Sequence, residues 1–271
     1  MIAHLTSIAV RMTTEPATTH HRGLAALSRR ETARVLKLWT QTILAPILSS
    51  ALFILVFGLS LGDRIREIHG IPYDEYIVPG LIAMSMAQAA YANNSATVFQ
   101  ARFDRYLNDV LAAPMRGWEV NLGLNLGGAV RALAIGAGLT VVAILLTGAP
   151  VREPLVLIGA LALLLAIFCS FGVVVGVYAE SWDHTAFVTN LVILPLSFLG
   201  GVFYSVASLP SPWQELSHVN PLYYLIDAVR HGFLGTSDVP VGISFSVGAV
   251  LAAICVAWSS WLFGTGRRLK P

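Results

Sequence analysis

The chain has 271 residues and a formal net charge of +2, with 56% hydrophobic residues, 12% charged residues and a mean hydropathy of +0.71. A soluble globular domain carries about 25% charged residues, so this composition excludes an ordinary soluble protein and predicts an integral membrane protein with one helical bundle. Its two cysteines, Cys169 and Cys255, lie inside apolar runs without a CxxC or Cys/His pairing, which argues against a disulfide framework or a metal site.

The N-terminal region divides into a tail and a basic helix. Residues 1–25 are predicted to form a flexible cytoplasmic tail. In 28–41, SRRETARVLKLWTQ, the apolar residues share one helical face, and Ser28 followed three residues later by Glu31 predicts a capping box. We interpret this segment as an amphipathic helix at the cytoplasmic membrane interface. The alternative is a basic flank that only sets the topology.

Residues 26–271 are predicted to form a single all-α transmembrane domain. Six runs are apolar and long enough to cross the roughly 30 Å hydrocarbon core as helices. They cover about 42–62, 77–99, 119–147, 155–179, 186–204 and 243–264. The runs are too long for strands and lack alternation of period two. Small-residue pairs such as Gly123-x-x-x-Gly127 and Gly172-x-x-x-Gly176 favour close helix packing.

The distribution of Lys and Arg predicts the orientation of the chain. With six spans both termini lie on one side, and most of the basic residues, including Arg102, Arg105 and Arg116, fall on that side. Because basic loops stay in the cytoplasm, both termini and the loop after the second span are predicted to be cytoplasmic.

That loop contains a second amphipathic pattern. Phe99, Phe103, Tyr106, Leu107, Val110 and Leu111 recur at steps of three and four residues. Charged residues fall on the other side, so we predict an amphipathic helix that ends at the Ala-Ala-Pro of 112–114. The helix either docks on a cytoplasmic partner or is an ordinary solvated loop helix.

A few polar residues lie inside the predicted spans. They are Asn93, Asn94, Asn121, Asn125, Arg131 and Asn190. Polar groups inside a membrane are suspected of function, but they also hold helices together. Asn93, Asn94, Asn125, Arg131 and Asn190 are therefore candidates either for a substrate path or for contacts within the bundle.

The segment 205–242, before the last span, is predicted to form short helices that dip back from the outer surface. Its prolines break longer helices. Asp227 and Arg230, three residues apart, are predicted to pair on one helical face. His218 and His231 have no third ligand in view, so no metal site is predicted here.

Two stretches resemble the ABC transmembrane type-2 exporter permease family, related to nodulation-factor and drug exporter permeases. FQARFDRYLNDVLAAPMRGWEVNLGLNLGG, 99–128, resembles the segment after the family's second span. GGVFYSVASLPSPWQELSHVNPLYYLIDAVRHGFLG, 200–235, resembles the family's pattern of L-P, then N-P-L-x-Y, then a small helix with Arg and a closing Gly. The order of elements also resembles the family over about 28–270.

This resemblance implies that the helix after the second span couples the chain to a separate ATP-binding cassette subunit. The contact residues it implies are Phe103, Arg105, Tyr106, Leu107 and Asp109. The chain contains no G-x-x-x-x-G-K-[ST] sequence, so we expect no ATPase on it and no cofactor bound by it, with ATP held by the partner. The family architecture further implies two copies of the permease, embedded among membrane lipids, and no nucleic-acid partner.

The resemblance also implies an outer gate. Its residues would be Asn220, Pro221, Tyr224, Asp227 and Arg230. The alternative for this region is a structural cap on the bundle.

The expected function is therefore the permease subunit of an exporter in the bacterial inner membrane. Its expected cargo is amphiphilic: a lipid-linked sugar, a glycolipid or a drug. The alternative is an ion-coupled secondary transporter, although no carboxylate lies deep in the six runs to relay protons. A membrane enzyme is disfavoured, because no HExxH motif or acidic cluster is present.

Overall fold

The computed structural model describes residues 18–65, 67–266 and 269, and it is built almost entirely of helices. The long helices are α1 (Thr18–Lys37), α2 (Ala45–Ile65), α3 (Tyr73–Phe103), α5 (Gly117–Thr147), α6 (Pro154–Tyr178) and α11 (Val241–Thr265). The shorter ones are α4 (Leu107–Ala112), α7 (Trp182–Val188), α8 (Leu194–Leu199), α9 (Ser211–Val219) and α10 (Pro221–Leu234). Two π-helices, Thr40–Leu44 and Thr189–Ile193, and a 3₁₀-helix, Val206–Ser208, complete the helical set. The strands β1 (Glu67–Ile68) and β2 (Ile71–Pro72) form a small antiparallel hairpin.

Helix α3 is the centre of the bundle, and it packs most extensively against α6 and α5. Two glycines of α6 make this close approach possible. A Cβ on Gly172 would lie 2.6 Å from the Tyr91 carbonyl oxygen, and one on Gly176 would lie 2.7 Å from that of Ser95. Gly172-x-x-x-Gly176 therefore packs directly on the backbone of α3, as its small-residue spacing predicted.

The structure supports the membrane class but not the full count of spans. In the described part of the chain, four helices are long and apolar enough to cross a membrane: Thr40–Gly58, Gly117–Thr147, Pro154–Tyr178 and Val241–Thr265. The predicted span 77–99 lies in α3, which is long enough but carries polar residues and is buried along most of its length. The predicted span 186–204 crosses the second π-helix and the end of α8 at Leu199. Six spans remain a prediction.

A proline stands two residues after the end of each π-helix. Thr40–Leu44 is followed by Ala45-Pro46, and Thr189–Ile193 by Leu194-Pro195. Because Pro46 has no N–H, the carbonyl of Thr42, four residues earlier, loses its normal helical donor. Arg131 Nε donates a hydrogen bond to this oxygen at 3.0 Å. Arg131 therefore satisfies a backbone group that the proline leaves open.

Helix α1 corrects two predictions about the N-terminal region. It begins at Thr18, so 18–25 is helical and does not belong to a flexible tail, while 1–17 lies outside the described residues. The capping box is wrong: Ser28 sits well inside the helix, where its Oγ donates to the Leu24 carbonyl. Glu31 is buried instead of capping, and it faces Gly127 of α5.

The bundle has two ends with different components. One, which we call the α4 end, holds α4 and the ends of α3, α6 and α11; there Leu107 of α4 packs with Val177 of α6 and Leu262 of α11. The other, the hairpin end, holds β1–β2, the 148–153 loop and the 200–240 segment. There the N–H groups of Arg152 and Glu153 donate to carbonyls at the end of α10.

Helices α9 and α10 turn back into the bundle at the hairpin end. The last turn of α10 meets the start of α6, where a Cβ on Gly232 would touch Leu157. Its first turn lies beside Phe168, in the middle of α6, and near Leu196 of α8. The chain therefore reverses at Asn220 between two short helices; that they dip back from the outer membrane surface stays a prediction.

Candidate functional site

A sharp turn separates α3 from α4. Helix α3 ends at Phe103, and Arg105 adopts a left-handed backbone conformation with φ of 62° before α4 begins at Leu107. The continuous amphipathic helix predicted over 99–111 is therefore wrong. Arginine rarely adopts a positive φ, so the chain turns sharply here at a cost in backbone energy.

The buried side of α4 is held by a small apolar core. Leu107 is 1% exposed, and with Val110 it packs among side chains from four other helices. These partners are Leu27 of α1, Val98 of α3, Val120 of α5, and Val177 of α6. The prediction that Leu107 contacts a partner does not fit this burial. A displacement of α4 would instead be passed to every helix that shares this core.

The opposite side of α4 and its preceding turn are open to solvent. Phe103 is 73% exposed, and the charged side chains of Asp104, Arg105 and Asp109 are exposed beside it, as is Asn108. We call these five residues the α4 surface. Three of the five predicted contact residues, Phe103, Arg105 and Asp109, lie together on it.

The fourth predicted contact residue, Tyr106, faces α1. The Arg30 guanidinium lies over its ring, 5.2 Å from the centroid, which is a cation–π geometry. Burial raises the pKa of the Tyr106 hydroxyl above its ordinary value, and the charge of Glu31 adds to this shift. Tyr106 therefore links α1 to the turn before α4.

The Arg102 side chain contacts other helices of the bundle and is not part of the α4 surface. Its Nη1 donates to the carbonyls of Gly176 and Ala179 at 3.2 and 3.1 Å. These carbonyls belong to the last turn of α6 and its C-cap, so Arg102 caps that helix and joins it to α3.

Next to the α4 end, three of the five candidates for a substrate path or bundle contacts form one hydrogen-bonded network. Asn93 Nδ2 donates to Asn94 Oδ1 at 3.1 Å, and Asn94 Nδ2 donates to Asn125 Oδ1 at 2.8 Å. Asn94 also donates to the Cys169 carbonyl at 3.0 Å. Asn125 Nδ2 donates to Ser170 Oγ at 3.1 Å. The network therefore joins α3, α5 and α6.

The same network continues into α1 and α11. Arg34 of α1 donates to Asn93 and Thr97 of α3, and it is held by Glu31. On the far side, Asn121 Nδ2 donates to Ser259 and Ser260 of α11 at 2.9 and 3.0 Å. Arg34, Thr97 and these serines were not among the predicted residues. No local pattern marks them, because the contacts join residues more than 50 positions apart.

Arg131 and Asn190 lie outside this network. Arg131 lines a cavity of about 290 Å³ between α2, α3 and the second π-helix. Two serines, Ser50 of α2 and Ser85 of α3, are hydrogen bonded to each other in its wall at 2.8 Å. Asn190 is exposed on the second π-helix. The five predicted polar residues therefore do not form a single site.

At the hairpin end, Asn220 fixes the turn between α9 and α10. Its Oδ1 accepts from the Leu222 N–H at 3.0 Å, and its Nδ2 donates to the Leu196 carbonyl of α8. Pro221 is the first residue of α10, where its missing N–H costs nothing. Tyr224 Oη donates to the His218 carbonyl at 2.8 Å and bridges the two helices.

Asp227 and Arg230 are both buried, with 0% and 2% of their surface exposed. Both side chains are among the described residues and no ion pair joins them, so the predicted pair is wrong. Asp227 accepts from the N–H groups of Asp238 and Val239 at 2.9 and 3.2 Å. Burial raises the pKa of Asp227 above its ordinary value, while these hydrogen bonds oppose that shift.

Arg230 has different partners. Its guanidinium donates to the Gly201 carbonyl and lies 4.2 Å from the centroid of the Tyr76 ring. Neither Tyr76 as a partner of Arg230 nor the 238–239 turn as a partner of Asp227 was predicted. Tyr76 comes from a distant part of the chain and the 238–239 turn follows α10, and no spacing within α10 indicates either of them.

Comparison with known proteins identifies the class of this architecture. The sequence model of the ABC-2 type transporter family matches residues 22–234. The chain is 36% identical to the inner membrane transport permease YadH of Escherichia coli K12 over 249 residues, which covers 91% of this chain and 96% of the relative. It is 28% identical to Nodulation protein J of Rhizobium meliloti over 241 residues, covering 86% and 90%. It is 29% identical to Nodulation protein J of Sinorhizobium fredii over 225 residues, covering 80% and 83%.

Proposed function

The chain belongs to the ABC-2 type transporter family and is a multi-pass inner membrane transport subunit; on that premise we propose that it is the permease of an exporter driven by a separate ATP-binding cassette subunit. The α4 surface is the observation that carries this proposal. It presents an exposed aromatic ring with charges of both signs, directly above a core shared by the bundle helices. A partner that pushes on this surface would move several helices together.

The nucleotide is assigned to the partner because this chain lacks the P-loop sequence. The proposed cycle needs only mechanical work from the permease. ATP binding draws two partner subunits together, and each presses on an α4 surface. The helices of two permease copies then tilt, and a path between the copies opens outward.

Co-purification tests the partner. The tagged chain, purified from its host membranes, should bring down a protein that carries a P-loop sequence, identified by mass spectrometry. Phe103→Ala with Arg105→Glu should reduce its yield more than about tenfold, since central contacts of an interface dominate its affinity. The proposal fails if the yield of that protein is unchanged.

A matched control separates docking from folding. Trp213 and Glu215 are exposed on α9, and Trp213→Ala with Glu215→Arg makes the same two kinds of change at the hairpin end. This variant should keep the partner. Both variants should elute from gel filtration as the unchanged protein does.

The proposed orientation places the α4 end in the cytoplasm. Asn108 at that end and Thr236 at the hairpin end are both exposed, so a cysteine at either position is open to a thiol reagent. In a background with Cys169 and Cys255 replaced by serine, an impermeant reagent applied to intact cells should label Thr236→Cys and spare Asn108→Cys. The reverse pattern would overturn the orientation.

We propose an amphiphilic cargo, namely a lipid-linked sugar, a glycolipid or a drug. A cavity with an apolar lining, between α6, α8, α10 and α11, suits the hydrocarbon part of such a molecule. Large apolar side chains also cover the outside of the helices; Leu48, Leu52, Leu145 and Leu155 are examples. Uptake of fluorescent lipid into inverted vesicles, dependent on ATP and on the partner, measures this transport directly.

A further inference from the structure

A polar cavity of about 340 Å³ lies at the hairpin end, between the β-hairpin, the start of α3 and the loop after α10. It is far larger than the roughly 30 Å³ that one water occupies in the liquid, and it falls at the small end of ligand pockets. Tyr76 and Arg230 line it from inside, while His69 and Thr236 lie at its exposed rim.

Two buried donors in this cavity lack an acceptor. Tyr76 is 1% exposed, yet its hydroxyl has no hydrogen-bond partner among the described residues; the same is true of the Arg230 Nε–H. Ser205 lies near the Tyr76 hydroxyl but makes no hydrogen bond of normal geometry with it; the Ser205 Oγ donates to Asp238 Oδ2 at 3.1 Å and lies 3.2 Å from His69 Nε2. An unsatisfied buried donor is costly, so both groups favour a bound acceptor.

The cavity also contains an acceptor. Asp238 lines its wall with a carboxylate that is largely buried, and Asp227 lies behind it. Arg230 supplies one positive charge against these two carboxylates. This balance disfavours an anion, and the guanidinium beside the orphaned donors disfavours a cation.

A hydroxyl group fits this arrangement, because its oxygen accepts from Tyr76 and Arg230 while its hydrogen donates to Asp238. We propose that the cavity binds a neutral, hydroxyl-rich group of the size of one sugar or polyol unit. The purpose of this binding, which would be to hold the polar group of the cargo, rests on the proposed function. Binding itself requires neither ATP nor the partner subunit.

Saturation-transfer NMR on the purified full chain tests the proposal. The chain is held in a detergent without a sugar headgroup, because such a headgroup would compete for the cavity. Glucose, galactose and mannose serve as neutral probes, with glucuronate and glucosamine as the anionic and cationic probes of similar size. At least one neutral sugar should give a signal that exceeds those of both charged probes.

Tyr76→Phe and Tyr73→Phe form the matched pair of variants. Tyr76→Phe removes only the orphaned hydroxyl, so it should leave the fold intact and weaken sugar binding about three- to tenfold. Tyr73 Oη donates to the Phe203 carbonyl, and Tyr73 does not line the cavity. Tyr73→Phe should therefore lower thermal stability and leave the sugar signal unchanged.

Three results would overturn the proposal. The first is the absence of any neutral sugar signal, which would leave water as the occupant. The second is a stronger signal from a charged probe, and the third is a sugar signal that Tyr76→Phe does not weaken. Loss of the ATP-binding partner in co-purification would leave this binding untouched, so the two proposals fail independently.

Discussion

At the α4 end, the charges of Arg105 and Asp109 lie exposed above the buried Leu107, whereas at the hairpin end Asp227 and Arg230 lie inside the protein. The exposed charges have few partners within the chain and are available to another molecule. The buried charges are held by backbone groups and by an aromatic ring. The difference fits our proposals that the first end is a surface for a partner and that the second is a fixed frame around a cavity.

The largest loss of stability should come from removing the buried charge of Arg230. Arg230→Met takes the donor from the Gly201 carbonyl and the nearby cation from Asp227, so we expect a loss of about 3–5 kcal/mol in unfolding free energy. Arg105→Met at the exposed end should change it by less than about 0.5 kcal/mol. Thermal unfolding followed by tryptophan fluorescence measures both. Equal shifts for the two variants would remove the distinction between the ends.

A second test compares the two sides of the α4 region. Leu107→Ala empties part of the shared apolar core and should cost about 2–5 kcal/mol. Phe103→Ala removes a larger side chain from an exposed position, so it should lower the unfolding free energy by less than about 0.5 kcal/mol. It should also weaken binding of the partner subunit. The interpretation of the α4 surface is contradicted if Phe103→Ala destabilises the chain as much as Leu107→Ala does.

A third test measures whether the asparagine network stabilises one end of the bundle or both. Asn94→Ala leaves the Asn125 amide oxygen and the Cys169 carbonyl without their donor, at a cost of about 1–3 kcal/mol. Since Arg34 ties this network to α1, hydrogen exchange should rise in α1 and α5 and stay unchanged over 227–239. A rise of similar size at both ends would show that the bundle responds as one unit.

The sequence predicted those features that depend on local pattern. Apolar runs gave the long helices and their order, and Gly172-x-x-x-Gly176 indicated close packing that the structure uses on α3. Phe103, Arg105 and Asp109 are exposed, as contact with a partner would require, but the contact itself stays a prediction that rests on the family resemblance.

The errors came from backbone conformation and distant contacts. The amphipathic spacing across 99–111 hid the break at Arg105, because a left-handed residue leaves no mark on hydrophobic periodicity. Asp227 and Arg230 have the spacing of an ion pair, but the N–H groups of the 238–239 turn compete for the carboxylate. The sequence does not show that this turn folds back onto α10.

The smallest effect should come from the two strained positions, one at each end. Arg105 has φ of 62° and His69 has φ of 55°, and both conformations suit glycine better than other residues. Arg105→Gly should stabilise the chain by about 0.5–1 kcal/mol and yet weaken partner binding, because its side chain is exposed and serves only the α4 surface.

His69→Gly relaxes the same kind of backbone strain in the hairpin turn. It also removes a ring that contacts Ser205 at 3.2 Å and Asp238 at 3.7 Å, so the gain and the loss should nearly cancel. Thermal unfolding of the two variants side by side separates backbone relief from side-chain contact. If Arg105→Gly proves destabilising, the Arg105 side chain supports the fold, and its assignment to a partner surface is wrong.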